Sequence, residues 1–213
     1  MVDDASPDST FDVATQLSGT DSRVVAKRLP TNGGPSAGRN LAISVARGRY
    51  VAVLDADDIM HPERLAKQVA YLDANPEVGV VGTSLSVFGA KDELWNWPEK
   101  DEQGRGGMLF SDPVCYGTCM IRRAVLEEHH LRCDTDWRTP GMDYLFLLKL
   151  APYVRYANIH EALTFYRVGE QNMRHGRDPI ADRARIYRRQ FELFGIPATE
   201  EEVRLQLMLH RLY

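Results

Sequence analysis

Apolar residues in this chain gather into short runs divided by glycine, proline and acidic residues, and the runs follow two different periods. Val51-Ala52-Val53-Leu54 is continuous, which predicts a strand buried on both faces. Val78-Gly79-Val80-Val81 predicts another, and Val24-Val25-Ala26 a shorter one. Behind Pro62, Leu65, Val69 and Leu72 fall at helical spacing and predict a core-facing stripe on a helix that ends at Asn75-Pro76. Leu41, Ala42 and Val45 predict a helix that stops at Gly48. At the start, Met1-Val2-Asp3-Asp4 reads as the end of a strand. Ser6 then serves as N-cap and Pro7 as the first helical residue, ahead of an apolar face of Val13, Ala14 and Leu17.

Val114 to Arg123 predicts a strand interrupted at Gly117-Thr118, followed by a helix from Ala124 to His129. Residues 141–150 are helical and apolar, 153–167 are extended, and the chain is helical from Asp178 to its end. Thr199 and Glu202 form a capping box for the last helix, whose Leu205, Met208, Leu209 and Leu212 make an apolar stripe. Arg183, Arg185, Arg188 and Arg189 are expected on a solvated face. From Asp92 to Gly107 the composition is polar and glycine-rich, a long surface segment. Its Trp95 and Trp97 either stack on a sugar or anchor the loop. Two regions are expected, a main α/β domain over 1–177 and a C-terminal helical extension over 178–213.

The 213 residues, 44% hydrophobic and 26% charged, suit a globular protein with one sizeable core. A net charge of −4 gives no footing for a nucleic acid. No apolar run is long enough to span a bilayer and no signal peptide is visible, so a cytoplasmic protein, at most peripheral to the membrane, is expected. Cys115, Cys119 and Cys133 form neither an even-numbered framework nor a C-x-x-C pair, so reduced thiols are expected.

The chemistry concentrates where the first apolar run meets Asp55-Ala56-Asp57-Asp58. Charge cannot follow a strand into a core, so these carboxylates belong at its C-terminal end, where open α/β sheets bind ligands. Asp55 and Asp57 offer two hard oxygen donors suited to Mg²⁺ or Mn²⁺, with coordination sites left for phosphate. The plain alternative is an acidic turn that caps the next helix. Gly33-Gly34 either brings N–H groups to a phosphate or makes a simple turn, and Arg39 carries a planar fork for a carboxylate or phosphate. Asp143, near the start of an apolar helix, is also accounted for by the helix dipole.

Several segments in order and spacing resemble the family-two glycosyltransferases. They are Val2-Asp3-Asp4-Ala5-Ser6, Asn32-Gly33-Gly34-Pro35-Ser36 with Arg39-Asn40, Gly48-Arg49-Tyr50, Leu54-Asp55-Ala56-Asp57-Asp58 and His61-Pro62-Glu63-Arg64-Leu65. Weaker likeness runs through Met120-Ile121-Arg122-Arg123, Asp143 and Tyr166-Arg167. The resemblance implies the A-type glycosyltransferase fold, with a mostly parallel central sheet flanked by helices. It implies transfer of a sugar, with inversion, from a nucleotide-diphospho-sugar (a UDP-sugar foremost) to a hydroxyl of a carbohydrate or other acceptor. It also implies Mn²⁺ or Mg²⁺ as cofactor and a place in polysaccharide biosynthesis. By the same resemblance Asp3 hydrogen-bonds the nucleotide base, and Arg39 lies near the nucleotide pocket. Asp55 sits near the ribose, the donor sugar and the metal, Asp57 ligates the metal directly, and Asp143 is the catalytic base. Asp134 and Asp136 are the reserve candidates for that base.

Two departures accompany the resemblance. Met142 stands where the family has the Glu of a Glu-Asp pair. Family members also carry a strand and helix ahead of the position of Asp3, with a Pro-x-Tyr-Asn segment that this sequence lacks. The fold is accordingly expected to be N-terminally truncated, with open sheet edges through which copies oligomerise. A non-catalytic relative that binds nucleotide-sugar or a partner protein is the first rival reading. A sugar nucleotidylyltransferase is the second, and it would show a glycine-rich, Lys/Arg-bearing signature after its first strand, absent from this sequence.

Overall fold

The structure is a computed structural model that describes residues 1–89, 92–137, 140–169 and 179–210. The chain divides into two compact units, one of residues 1–48 with 132–138 and one of residues 49–131 with 139–213.

The first unit holds β1 (Val2–Asp3), α1 (Thr10–Thr20), β2 (Lys27–Arg28) and α2 (Pro35–Val45). β1 and β2 pair in parallel, Val2 opposite Lys27 and Asp3 opposite Arg28. The strand expected at Val24-Val25-Ala26 therefore lies just downstream of its apolar run. α1 also begins later than Ser6-Pro7 predict. Ala5 takes a left-handed φ of 57° and the Ser6 N–H is spent on the Asp3 carboxylate, so the chain is still turning there. Asp8 makes the entry instead, its Oδ1 accepting from the Thr10 N–H at 3.0 Å and the Thr10 hydroxyl at 2.6 Å. Of the predicted apolar face only Ala14 is buried; Val13 and Leu17 are 53% and 45% exposed. Gly34 precedes α2 with φ 81°, a conformation that a side chain would strain, and Pro35 opens the helix.

The second unit begins with β3 (Tyr50–Ala52), β4 (Ile59–Met60), α3 (Arg64–Ala74), β5 (Val78–Gly89), β6 (Glu93–Trp95) and α4 (Asp101–Gly107). After a 3₁₀ turn at Tyr116–Thr118 come β7 (Met120–Arg122), α5 (Arg123–Glu128), α6 (Met142–Leu150), β8 (Arg155–Val168), α7 (Pro179–Leu193) and α8 (Glu200–His210). The sheet runs β3-β7-β5-β8-β4, with β6 attached to β5. Its longest partnership, β5 with β8, is parallel, while every other pairing in it is antiparallel. The sheet is expected to be mostly parallel; its parallel pairing is concentrated at its centre. The short strands β3, β4, β6 and β7 lie antiparallel to their neighbours.

Two sequence expectations change here. The run Val51 to Leu54 is not buried on both faces: β3 ends the sheet, pairs only with β7 among the described residues, and leaves Leu54 44% exposed. A continuous apolar run does not by itself distinguish a central strand from an edge. The buried stripe of α3 is also rotated from the predicted one, since Arg64, Gln68 and Leu72 face inward and Leu65 is 41% exposed. The core on this side joins Leu72 to Val78, Val81, Met120 and Ala157. A second cluster, Ala184, Tyr187 and Val203, pins α7 to α8.

The polar segment after Asp92 contains β6 and α4; its Trp95 is 37% exposed, with its ring centroid 5.9 Å from that of Tyr166 and its Nε1–H donating to Glu93 at 2.8 Å. The capping box is present in both directions, Glu202 N–H to Thr199 Oγ1 at 3.2 Å and Thr199 N–H to Glu202 Oε2 at 2.7 Å. Arg185 and Arg188 are exposed, and Arg188 pairs with Glu200 at 2.7 Å. Leu205, Met208 and Leu209 are exposed on α8; Leu212 and Asp178 fall outside the described residues. Among the described residues no helix is long and apolar enough to cross a membrane.

Candidate functional site

The acidic cluster lies where β3 leaves the sheet. Val53 still donates its N–H to Cys119 O at 2.9 Å, and the chain then turns, with the Asp58 N–H returning to Asp55 O at 3.2 Å. Asp57 is exposed, whereas Asp55 and Asp58 are half-buried. Asp58 Oδ1 accepts the Arg167 N–H at 3.0 Å, and its buried Oδ2 has no hydrogen-bond partner among the described residues. Burial pushes the Asp58 carboxyl up to about 6, the Arg167 N–H pulls it down, and Asp55 and Asp57 push it further up. Gly117, in the 3₁₀ turn, faces these acids: a Cβ there would lie 3.3 Å from Asp55 Oδ2 and 3.9 Å from Asp58 Oδ2. Glycine keeps the space beside the carboxylates open.

Carboxylate oxygens alone form a hard donor set, and the space over Gly117 beside Asp55 accords with a small divalent cation. Among the described residues no three side chains of metal-ligating type converge. The residues thus fit Mg²⁺ or Mn²⁺ only as a partial shell of Asp57 and Asp55, one that phosphate oxygens complete.

Beneath the turn lies a buried relay. Arg64 is fully buried at the start of α3; its Nη2 donates to Val53 O at 2.7 Å and to Cys119 O at 3.4 Å, and its Nε to Gln68 Oε1 at 3.1 Å. Gln68 in turn donates to Val81 O at 2.9 Å and Thr118 O at 2.8 Å. One guanidinium and one amide therefore tie together β3, β5 and the approach to β7, just before the acids begin. Burial lowers the Arg64 pKa, and the acids Asp58 and Asp55 are among the groups that oppose the shift. Arg64, Gln68, Gly117 and Asp58 escaped the sequence reading as contributors. The signal in hindsight is a charged residue and an amide four apart on the helix that follows the acidic cluster.

Asp143 stands in the first turn of α6, whose other residues except Lys149 are all buried. Gly141 precedes the helix with φ 97° and supplies no side-chain cap, so Asp143 lies beside the uncapped N–H groups of the first turn. Burial lifts the Cys115 thiol to about 12, with Asp112, Asp143 and Asp55 adding to the rise. Met142, beside Asp143, is buried.

The remaining expected residues belong to the first unit. Asp3 is 5% exposed, 3.2 Å from Arg28 Nε, with both carboxylate oxygens accepting the Ser6 N–H at 3.3 Å. A carboxylate has about four acceptor sites, so these partners leave capacity for a further donor. The glycine loop does not present its N–H groups to a phosphate: Gly33 and Gly34 donate to Asp4 Oδ1 and Oδ2 at 2.7 and 2.8 Å. Asp4 fills the anion site with a carboxylate from within the chain. Arg39 lies half-buried on α2. The next residue, Asn40, clasps Cys133, donating to its carbonyl at 2.9 Å and accepting its N–H at 2.8 Å. Asp134 and Asp136 fall in the segment so clasped.

An uncharacterized glycosyltransferase of Haemophilus influenzae is 28% identical over 179 residues, covering 79% of this chain and 55% of that protein. The succinoglycan biosynthesis protein ExoO of Rhizobium meliloti is 33% identical over 160 residues, covering 69% of this chain and 45% of that protein. The chain thus spans about half the length of the curated relatives it matches. In structure it is similar to S. aureus TarS 1-349 in complex with UDP-GlcNAc, with a TM-score of 0.75 at 20% identity over 99% of this chain and 61% of that one. It is also similar to the mannosyltransferase PcManGT of Pyrobaculum calidifontis in complex with GDP-Man and Mn²⁺, with a TM-score of 0.61 at 19% identity over 98% of this chain and 59% of that one. Both likenesses establish the A-type glycosyltransferase fold. The profile of Glycosyl transferase family 2 matches residues 1–130, more than half of the chain, and the chain belongs to that family.

Proposed function

We propose that this chain transfers a sugar from a nucleotide-diphospho-sugar, a UDP-sugar foremost, to an acceptor hydroxyl, with inversion and with Mn²⁺ or Mg²⁺. The observation that carries the reading is the acidic turn itself: exposed Asp57 and half-buried Asp55 at the end of β3, within a family of glycosyl transferases. The structurally similar TarS and PcManGT were solved with UDP-GlcNAc and with GDP-Man and Mn²⁺ respectively, which supports a nucleotide-sugar and a divalent metal here. Asp57 and Asp55 would hold the metal, which when bound supplies positive charge to a diphosphate leaving group. Asp3 would accept from the nucleotide base and Arg39 would lie beside the nucleotide.

Asp143 would take the acceptor hydroxyl's proton. Its place in the first turn of α6, not buried on an otherwise almost wholly buried helix, supports that role. Attack by the acceptor oxygen on the face opposite the leaving diphosphate inverts the anomeric centre, and a positioned base of this kind is typically worth about 10²–10⁴ in rate. Polysaccharide biosynthesis is the setting that the similarity to the succinoglycan biosynthesis protein ExoO supports.

Calorimetric titration with UDP tests the metal reading. Binding is expected to tighten at least about 10-fold when Mn²⁺ is added, the typical size of a charge-assisted contact. Asp57→Asn should remove the gain while leaving the melting temperature in place. UDP binding that is indifferent to Mn²⁺ in the wild-type chain would exclude the metal-ligand role.

A further inference from the structure

Asp58 has no role in the reading above, yet it is half-buried and hydrogen-bonded to the end of β8 within the second unit. β4 pairs antiparallel with β8, Ile59 opposite Phe165 and Met60 opposite Thr164. Continuing that register back along the chain would set Asp57 opposite Arg167. The backbone ladder does not continue, because the chain has turned away with the Asp58 N–H closing on Asp55 O at 3.2 Å. The two groups that a further rung would have joined are both satisfied by side chains. The Arg167 N–H donates to Asp58 Oδ1 at 3.0 Å, and Asp57 O accepts from Arg167 Nε at 3.1 Å. The Arg167 guanidinium also lies over the Phe88 ring, 4.7 Å from its centroid, which ties the same rung to the end of β5.

We propose that Asp58 is a positioning residue and not a metal ligand: its carboxylate replaces the missing backbone rung between the acidic turn and the end of β8, and so sets Asp57 where a metal–nucleoside diphosphate binds. The exchange has a geometric consequence. A backbone rung at Asp57 would hold that residue in strand conformation, with its side chain fixed by the pleat. A side-chain rung lets the backbone turn at Asp55–Asp58 while its far side stays anchored. Asp57 is exposed as a result, whereas Asp58 is drawn half-inside. The two acids differ because one of them serves the scaffold.

The latch itself stands on hydrogen bonds within the second unit; only its consequence for ligand binding rests on the proposed function. The full chain is compared as wild type, Asp58→Asn and Asp58→Ala by hydrogen exchange at the Arg167 amide without ligand, and by titration with UDP in Mn²⁺. Asparagine keeps an acceptor oxygen and loses the charge; alanine loses both. The Arg167 amide is expected to exchange about 10-fold faster in Asp58→Ala and within about 3-fold of wild type in Asp58→Asn, as for one hydrogen bond to an ionised group lost or kept in neutral form. UDP affinity in Mn²⁺ should follow the same order. Arg167 exchange unchanged in Asp58→Ala overturns the latch. If Asp58→Asn preserves Arg167 exchange but loses UDP affinity as fully as Asp58→Ala, Asp58 is a metal ligand and the proposal fails. Wild-type chain that does not bind UDP in Mn²⁺ refutes the functional reading instead, and the exchange measurement still decides the latch. Should Asp58→Ala not fold, Asp58→Leu, of similar size and without an oxygen, takes its place.

Discussion

Asp143 shows how a single side chain separates two explanations that share a location. As a helix-start acid it would contribute only stability, about 0.5–2 kcal/mol. As a base it would contribute to turnover and leave nucleotide affinity alone, because it acts on the acceptor. On α6 it is one of two residues not buried, the other being Lys149 at the far end, so an apolar helix presents a carboxylate at its first turn. Asp143→Asn is expected to lower turnover by about 10²-fold or more while UDP affinity stays within about 2-fold. A drop in melting temperature with turnover intact would make Asp143 a cap and move the search to Asp134 or Asp136. The thiols offer a second test. Burial raises Cys115 to about 12 and Cys119 well above the usual thiol range, and Cys133 is buried. Native protein at pH 7.5 should therefore react with a thiol reagent far more slowly than the chain unfolded in guanidinium, which exposes all three. Fast labelling of Cys115 in the native state would contradict its placement.

Helix α3 marks the limit of what periodicity can say. Leu65, Val69 and Leu72 satisfy the apolar rule, but the buried face is Arg64, Gln68 and Leu72, its centre about a fifth of a turn away. Counting apolar residues cannot find this face, because its two polar members are inside for their hydrogen bonds. Gln68→Ala would leave Arg64 Nε, Val81 O and Thr118 O without their partner. At about 1–3 kcal/mol for each unsatisfied buried group, less what water recovers, the expected loss is about 3 kcal/mol in urea unfolding. Leu65→Ala, on the exposed side, should cost about 0.5 kcal/mol. Equal losses would return the stripe to its apolar register. Elsewhere local chemistry was enough: α6, β8 and the Thr199–Glu202 box lie where composition and capping place them, and the carboxylates do end the run at β3. Other features depend on distant partners and leave no local trace. The Asp4 carboxylate occupies the glycine loop near Gly33, and Asp58 meets Arg167 across the sheet.

Edges decide how the chain behaves in bulk. β3 ends its sheet, and among the described residues no strand pairs with its other side; β1 likewise pairs only with β2. Such edges present rows of N–H and C=O groups, which native proteins usually blunt with charge, proline or a bulge. Tyr50, Val51 and Ala52 carry none of these. The net charge of −4 on 213 residues provides only modest repulsion between copies. Self-association through edge pairing is therefore expected. By sedimentation equilibrium the average mass should exceed the 24.1 kDa of one chain and rise with concentration. Ala52→Lys places a charge on the exposed face of β3, where its side chain reaches water without disturbing the pairing to β7. It should return the mass toward 24.1 kDa with little change in melting temperature. A wild-type mass that stays at one chain across a hundredfold range of concentration would show that these edges are protected.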